Sequence, residues 1–320
     1  MSIIEDIAAA SKRVQPHIVL SEGNDSRVIE AAARATRDGL ARVTLVGSTM
    51  VDGVNSIDPT QSEKTQDYAA AFFELRKHKG VSEEAALKTV QTPLAFSAMM
   101  VRTGDADGTI GGAVETTSNV VRAALQIIGK DPSVDTVSSY FLMLLDGTRP
   151  IVFADCGLVI QPTAAELASI AIASAKSLTA MTGLDPKVAL LSFSTKGSVP
   201  AGAHESLSRI AEALAMVNER APDLPIDGEL QFDAAIVPEI AARKAPDSPV
   251  AGEANVFVFP SLSAGNIGYK IAQRIGGATA LGPVLQGLTK PANDLSRGCS
   301  TDDVYQMIAI TGAQAAAQIS

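Results

Sequence analysis

Short runs of β-branched and aliphatic residues alternate along the chain with longer stretches whose apolar positions recur at helical spacing. "HIVL" (17–20), "RVTLV" (42–46), "VSSYFLML" (137–144), "PIVFADC" (150–156), "KVALLSFS" (187–194) and "NVFVFP" (255–260) predict strands. Several are apolar without alternation, the pattern of sheets covered on both faces. Between them the spacing predicts helices over 25–39, 63–79, 117–128, 163–182, 203–219 and 266–275. Strands alternating with helices imply βαβ units and mainly parallel sheets, hence an α/β fold.

Length adds a division to that picture. The 320 residues exceed one typical domain, and two domains of about 150 each are the expectation. Turn signals in "GKDPSVD" and "LLDGTRP" place a break near 130–150. Hydrophobic residues make up 46% of the chain but aromatics only 4%, with no tryptophan, so Ala, Val, Ile and Leu must fill the core. Small helix faces of that kind sit close on sheets.

Charge and cysteine usage then narrow the partners. A net charge of −9 with no basic stripe argues against nucleic acid and anionic membrane surfaces. An anionic small substrate stays open, provided its positive groups are local. Cys156 and Cys299 fit neither a disulfide framework nor a zinc pattern. The opening "MSIIEDIAAASKRV" is acidic and amphipathic, unlike a signal peptide. No apolar run approaches the ~18 residues of a membrane span. A reduced, cytoplasmic setting is expected.

The familiar catalytic motifs are missing. No G-x-G-x-x-G opens a helix after a strand, and there is no G-x-x-x-x-G-K-[ST], H-E-x-x-H or C-x-x-C. Only His17, His78 and His204 occur, so a histidine triad or zinc centre is not expected. What remains is loops rich in hydroxyls, glycines and arginines. In "FPSLSAGNIGYKIAQRIGG" (259–277) a helix expected from Asn266 offers free amides to an anion, with Arg274 two turns in and Ile267, Ile271 and Ile275 as an apolar face. An ordinary turn and an exposed arginine explain the spacing as well.

In "ETTSNVVRAALQIIG" (115–129) Thr117 or Ser118 can cap a helix that Gly129 ends. Its apolar residues leave little polar face, so Arg122, its only charge, needs a carboxylate, a surface position or a ligand phosphate. Arg76 in "FFELRKHKG" complements the end of a helix. "LSFSTKGS" (191–198), with Lys196, suits either backbone phosphate binding or a plain strand-to-helix turn. In "NDLSRGCSTDD" (293–303) Ser300 and Asp303 are spaced as a capping box. The same stretch, with Arg297 and Cys299, also suits an anion site with a base beside it.

These stretches, in this order, resemble the phosphate acetyltransferase family, which moves an acetyl group between acetyl phosphate and coenzyme A. The resemblance runs from "IVLSEGNDSRVIEAA" through "GDADGTIGGAVETTSNVVRAALQIIG", "LSFSTKGS", "DGELQFDAA" and "FPSLSAGNIGYKIAQR" to "GPVLQGLTKPANDLSRGCSTDDV", nearly the full chain. One departure is Ser21, where many members carry proline. The resemblance implies two three-layer α/β domains, 1–137 plus 287–320 and 138–286, an active site in the cleft between them, and a homodimer. It implies that Ser296, Arg297, Asp303 and Arg274 are active-site residues and that Arg76 and Arg122 bind coenzyme A phosphates. The implied reaction is direct transfer in a ternary complex, with Asp303 as base and the arginines and Ser296 holding phosphate. Coenzyme A and acetyl phosphate are then substrates, with no metal and no cofactor. A phosphate butyryltransferase, or a non-catalytic coenzyme A or acyl-phosphate sensor, are the alternatives.

Overall fold

Where aliphatic residues run without polar alternation, strands form, and glycines or capping hydroxyls end the helices between them. The computed structural model describes residues 3–145, 149–200 and 202–319. The chain divides into two units, residues 3–131 with 288–320, and residues 132–287. Residues 146–148 of the "LLDGTRP" turn and residues 1–2 of the opening stretch lie outside the described residues.

In chain order the first unit begins with α1 (Ile3–Val14), β1 (His17–Leu20), α2 (Ser26–Arg37), β2 (Arg42–Val46), β3 (Asn55–Ile57) and α3 (Thr65–Arg76). It continues with α4 (Glu83–Val90), α5 (Pro93–Thr103), β4 (Gly108–Gly111) and α6 (Thr117–Ala123), which a π-helical turn, Ala124–Ile128, extends. The second unit holds β5 (Ser138–Leu145), β6 (Arg149–Ala154), α7 (Ala164–Thr182), β7 (Val188–Leu191), α8 (Glu205–Arg220) and β8 (Ile226–Leu230). It ends with α9 (Phe232–Ile236), α10 (Pro238–Lys244), β9 (Val256–Val258), α11 (Leu262–Arg274) and β10 (Thr279–Gln286). The chain then returns to the first unit as β11 (Ala292–Asp294) and α12 (Thr301–Ile319).

The first sheet runs β11-β4-β1-β2-β3, every pair parallel. Ile18, Leu20, Leu45 and Ile110 are buried in it, and Phe96 and Met99 of α5 are buried in the same unit, each burial worth about 1.5–3 kcal/mol. The returning helix α12 packs on α1 and α2. The second sheet runs β10-β5-β6-β9-β7-β8; β5 is antiparallel to both its neighbours and the remaining pairs are parallel. Its core gathers Phe141, Met143, Ile151, Phe153, Leu191 and Phe257. Both sheets are therefore mainly parallel, as α/β patterning predicts.

Two local expectations are corrected. The helix expected from Asn266 begins at Leu262, because Ser261 caps it by accepting from the Ala264 amide at 3.4 Å. Asn266 lies inside the helix and donates to the Cys156 carbonyl at 3.1 Å. Gly265 and Gly268 dilute the helical pattern. Gly265 is needed because a Cβ there would stand 2.9 Å from the Cys156 sulfur. At α6 the cap is Thr116, not Thr117 or Ser118; its hydroxyl accepts from the Asn119 amide. The helix also leaves an open side, and Arg122 takes the surface position that was one of its alternatives.

The loop of "LSFSTKGS" follows the plain-turn reading, one of the two that its sequence leaves open. Its Gly197 amide donates to the Glu229 carboxylate at 2.8 Å, and Lys196 pairs with Asp227 at 2.7 Å. Acidic side chains from β8 take the positive groups that an incoming phosphate would use.

Candidate active site

The first sheet changes direction at β1, since the chain crosses from β1 to β2 on one side and later places β4 on the other. Loops leaving the carboxyl ends of strands on either side of such a point diverge and leave a crevice, the usual ligand position in parallel α/β sheets. Here the loops are 21–25 after β1, 112–116 after β4 and 295–300 after β11.

Each loop is shaped by a specific contact. Ser21 donates its amide to the Ile110 carbonyl at 3.0 Å, a bond that a proline at this position could not make. The Glu22 carboxylate accepts from the amides of Ala113, Val114 and Glu115 at 2.6, 2.9 and 2.7 Å. Gly112 adopts φ +104°, and a Cβ there would lie 2.7 Å from the Leu295 nitrogen and oxygen, so only glycine lets the two loops pass. Asp294 ends β11 with its carboxyl buried and accepts from the Thr117 hydroxyl at 2.6 Å. Its other oxygen has no partner among the described residues. Burial pushes the Asp294 carboxyl up to about 6, and the nearby Glu22 charge adds to the rise.

Arg27, in the first turn of α2, joins all three loops. Asp25 caps α2 by accepting from the Arg27 amide at 2.9 Å and pairs with its guanidinium at 2.8 and 3.0 Å. The guanidinium also donates to the carbonyls of Arg297, Cys299 and Ala113 at 2.9, 3.0 and 2.8 Å. This pairing holds the Asp25 carboxyl below the usual carboxylate range.

Beside these loops lies a cavity of about 610 Å³. Its walls include Val46, Phe72, Leu94, Val114, Ala123 and Ile127, an apolar lining with a polar mouth. Arg122 lines that mouth; it donates to Asn119 Oδ1 at 3.1 Å and makes no ion pair among the described residues. Arg76 closes α3 one turn beyond the wall residue Phe72, hence on the same helix face.

Within the first unit the structure therefore gathers Ser296, Arg297 and Asp303 on one returning segment, and places Arg122 on the cavity. Ser296 Oγ accepts from the Gly298 amide at 3.2 Å and Ser296 O from the Cys299 amide at 2.9 Å, so residues 296–299 form a tight turn. Ser296 and Arg297 are exposed. The capping box of α12 is present. Asp303 Oδ2 accepts from the Ser300 amide and hydroxyl at 2.8 and 2.9 Å, and the Asp303 amide donates back to Ser300 Oγ at 3.2 Å. Among the described residues Oδ1 of Asp303 accepts no hydrogen bond. Arg274 belongs to the second unit, exposed at the last residue of α11.

Cys299 is buried beneath this turn, and burial pushes its thiol up while Arg27 partly opposes the rise. A thiol held protonated is a poor nucleophile. Arg27, Glu22 and Asp294 were not singled out from sequence. Their only local signal is the Asp25 cap before α2, because their partners lie 86 to 272 residues away. Among the described residues no cluster of three metal-ligating side chains occurs, and no helix is long and apolar enough to cross a membrane.

The phosphate acetyl/butaryl transferase family model matches residues 2–312. The chain is 53% identical over 319 residues to the phosphate acetyltransferase of Paracoccus denitrificans, covering 98% of this chain and 99% of that one. It is 46% identical over 330 residues to the phosphate acetyltransferase of Acetivibrio thermocellus, covering 98% of both. The crystal structure of a phosphotransacetylase from Streptococcus pyogenes superposes with a TM-score of 0.91 at 44% identity, over 98% of both chains. With a family match spanning all three loops and relatives this similar along their whole lengths, the chain belongs to the phosphate acetyl/butaryl transferase family.

Proposed function

We propose that the chain is an acyltransferase that moves acetyl reversibly between acetyl phosphate and coenzyme A. The observation that carries this reading is the 53% identity, over nearly the full length of both chains, to a phosphate acetyltransferase. The geometry of the first unit supports it. An apolar cavity with an arginine at its mouth suits a long thiol substrate bearing phosphates, with Arg122 and Arg76 as the phosphate ligands.

In the proposed mechanism both substrates are bound together. Asp303 takes the thiol proton on the oxygen that its helix cap leaves open. The thiolate attacks the acetyl carbonyl carbon, a C–S bond forms, and the tetrahedral adduct collapses with cleavage of the acyl C–O bond and departure of inorganic phosphate. The proton passes from Asp303 to phosphate or solvent. Arg297, Arg274 and the Ser296 hydroxyl are the proposed ligands of the phosphoryl oxygens and of the charge that develops in the adduct. With positive charge supplied by guanidinium groups, the proposal needs no resident metal or cofactor.

The proposal extends to a cytoplasmic homodimer. Ile267 and Ile271 on one side of α11, with Ile275 at its C-cap, are 58, 54 and 84% exposed, a row that a second copy would cover. The purified protein, given coenzyme A with acetyl, propionyl or butyryl phosphate, tests the activity by thioester formation. Fastest turnover of acetyl phosphate is expected. A preference for the four-carbon substrate would replace acetyl with butyryl transfer, and folded protein without turnover would leave only binding. Sedimentation at the same concentration checks the dimer.

A further inference from the structure

Every N–H of the Arg27 guanidinium is directed at a protein oxygen. Nε and one Nη2 hydrogen meet the two Asp25 oxygens at 3.0 and 2.8 Å. The second Nη2 hydrogen meets the Ala113 carbonyl at 2.8 Å, and the two on Nη1 meet the carbonyls of Arg297 and Cys299 at 2.9 and 3.0 Å. Arginine has five such hydrogens, so this side chain keeps none for an incoming anion. Its planarity matters as much as its charge. The bidentate Asp25 pair fixes the plane of the fork, and the fork then dictates where three carbonyls can stand.

Those carbonyls belong to two loops that the sheet does not hold together. The β11–β4 ladder and its continuation end where the Leu295 amide donates to the Gly111 carbonyl at 2.7 Å. Beyond that point Arg27 bridges the turn carrying Ser296 and Arg297 to the segment 113–115 at the mouth of the cavity. We infer that Arg27 is a positioning residue: it sets the 296–299 backbone in register with the cavity mouth and does not itself bind substrate. This rests on the acetyl-transfer reading above, in which Ser296 and Arg297 hold the transferring phosphate.

The consequence is a specific kinetic signature. A displacement of the turn by about 1 Å misplaces the phosphate ligands relative to the thiol and lowers turnover by about 10- to 100-fold. Ground-state binding of coenzyme A depends on Arg76 and Arg122, on other helices, and is left nearly as it was. Lysine cannot replace the fork, because its three donors share one nitrogen.

The test measures kcat and both KM values, with coenzyme A and acetyl phosphate, for wild type, Arg27→Lys and Arg27→Ala, alongside thermal midpoints. Arg27→Lys is expected to lose about 10- to 100-fold in kcat, with each KM within about threefold. Added guanidinium ion is expected to restore part of the Arg27→Ala loss, which a merely destabilised protein would not show. An unchanged kcat overturns the inference. So does a KM for either substrate raised about tenfold at constant kcat, because Arg27 would then be an anion ligand. If Arg27→Ala does not fold, Asp25→Asn carries the test, since asparagine keeps the helix cap but loses half of the fork contact. It is expected to show the same pattern at smaller size, and wild-type kinetics there overturn the inference. Wild type without turnover overturns the acetyl-transfer reading and this inference together, whereas active wild type with wild-type-like variants overturns this inference alone.

Discussion

Ser300 and Asp303 share one capping box, and the proposed mechanism gives only Asp303 a chemical role as well. Ser300→Ala removes the oxygen that accepts from the Asp303 amide at 3.2 Å and the hydroxyl that donates to Asp303 Oδ2 at 2.9 Å. Loss of an N-cap costs about 0.5–2 kcal/mol, expected here as a thermal midpoint lowered by a few degrees with turnover largely kept. Asp303→Asn retains an amide oxygen that can accept from the Ser300 amide, so its cost to stability is expected to be under about 1 kcal/mol. It removes the carboxylate, and loss of a general base lowers turnover by about 10²- to 10⁴-fold. The assay is paired: thermal unfolding, and thioester formation at saturating coenzyme A and acetyl phosphate. The reasoning is refuted if both variants lose activity in proportion to stability. Asp303 would then be a cap and nothing more.

Asp294 gives a pH signature of opposite sense to that of an ion-paired acid. Its buried carboxyl is pushed up to about 6 from 3.8. Its full contribution is therefore present below 3.8 and is lost as pH rises towards and through 6, because the unfolded chain ionises first. That gap corresponds to about 3 kcal/mol. Asp294→Asn is accordingly expected to gain stability relative to wild type between pH 5 and 7.5, and urea unfolding at those two values checks it. A difference that does not change with pH rejects the assignment. Arg122→Ala is expected to raise the KM for coenzyme A about tenfold, equivalent to ~1.4 kcal/mol, with stability within about 0.5 kcal/mol of wild type because the residue is exposed. Initial rates across coenzyme A concentrations decide this, and an unchanged KM removes Arg122 from the site. Gly112→Ala, at φ +104° and against the Leu295 backbone, is expected to cost about 1–3 kcal/mol and to disturb the 295–300 turn, as its thermal midpoint and activity would report.

Features that depend on neighbours a few residues apart were legible in the chain alone. Residues 42–46 form the expected strand because Val43, Thr44 and Val46 favour extended backbone and need no distant partner to define it. The α12 cap was readable because Ser300 and Asp303 are three apart. The α/β class followed from the alternation of such segments, and the ordered motifs ending in S-R-G-C-S pointed to the family. Buried elements without contrast were harder. Helix α5 is buried from Ala95 to Val101, so it has no polar face to mark its period, and β4 reads only "GTIG".

Tertiary structure decided what those local signals could not. Whether the 191–198 loop offered its amides to an anion depended on Glu229 and Asp227, which fold back from β8 to occupy it. Whether Arg122 was buried depended on which side of α6 the unit covers. Arg27 carries no mark in the sequence beyond its place after Asp25, and only the pairing of β1, β4 and β11 in one sheet brought the carbonyls of Ala113, Arg297 and Cys299 to its fork. The physical reason is range. Propensity and capping act over one turn of chain, whereas a guanidinium chooses its oxygens by position in space, and that position exists only after strands from both ends of the chain have paired.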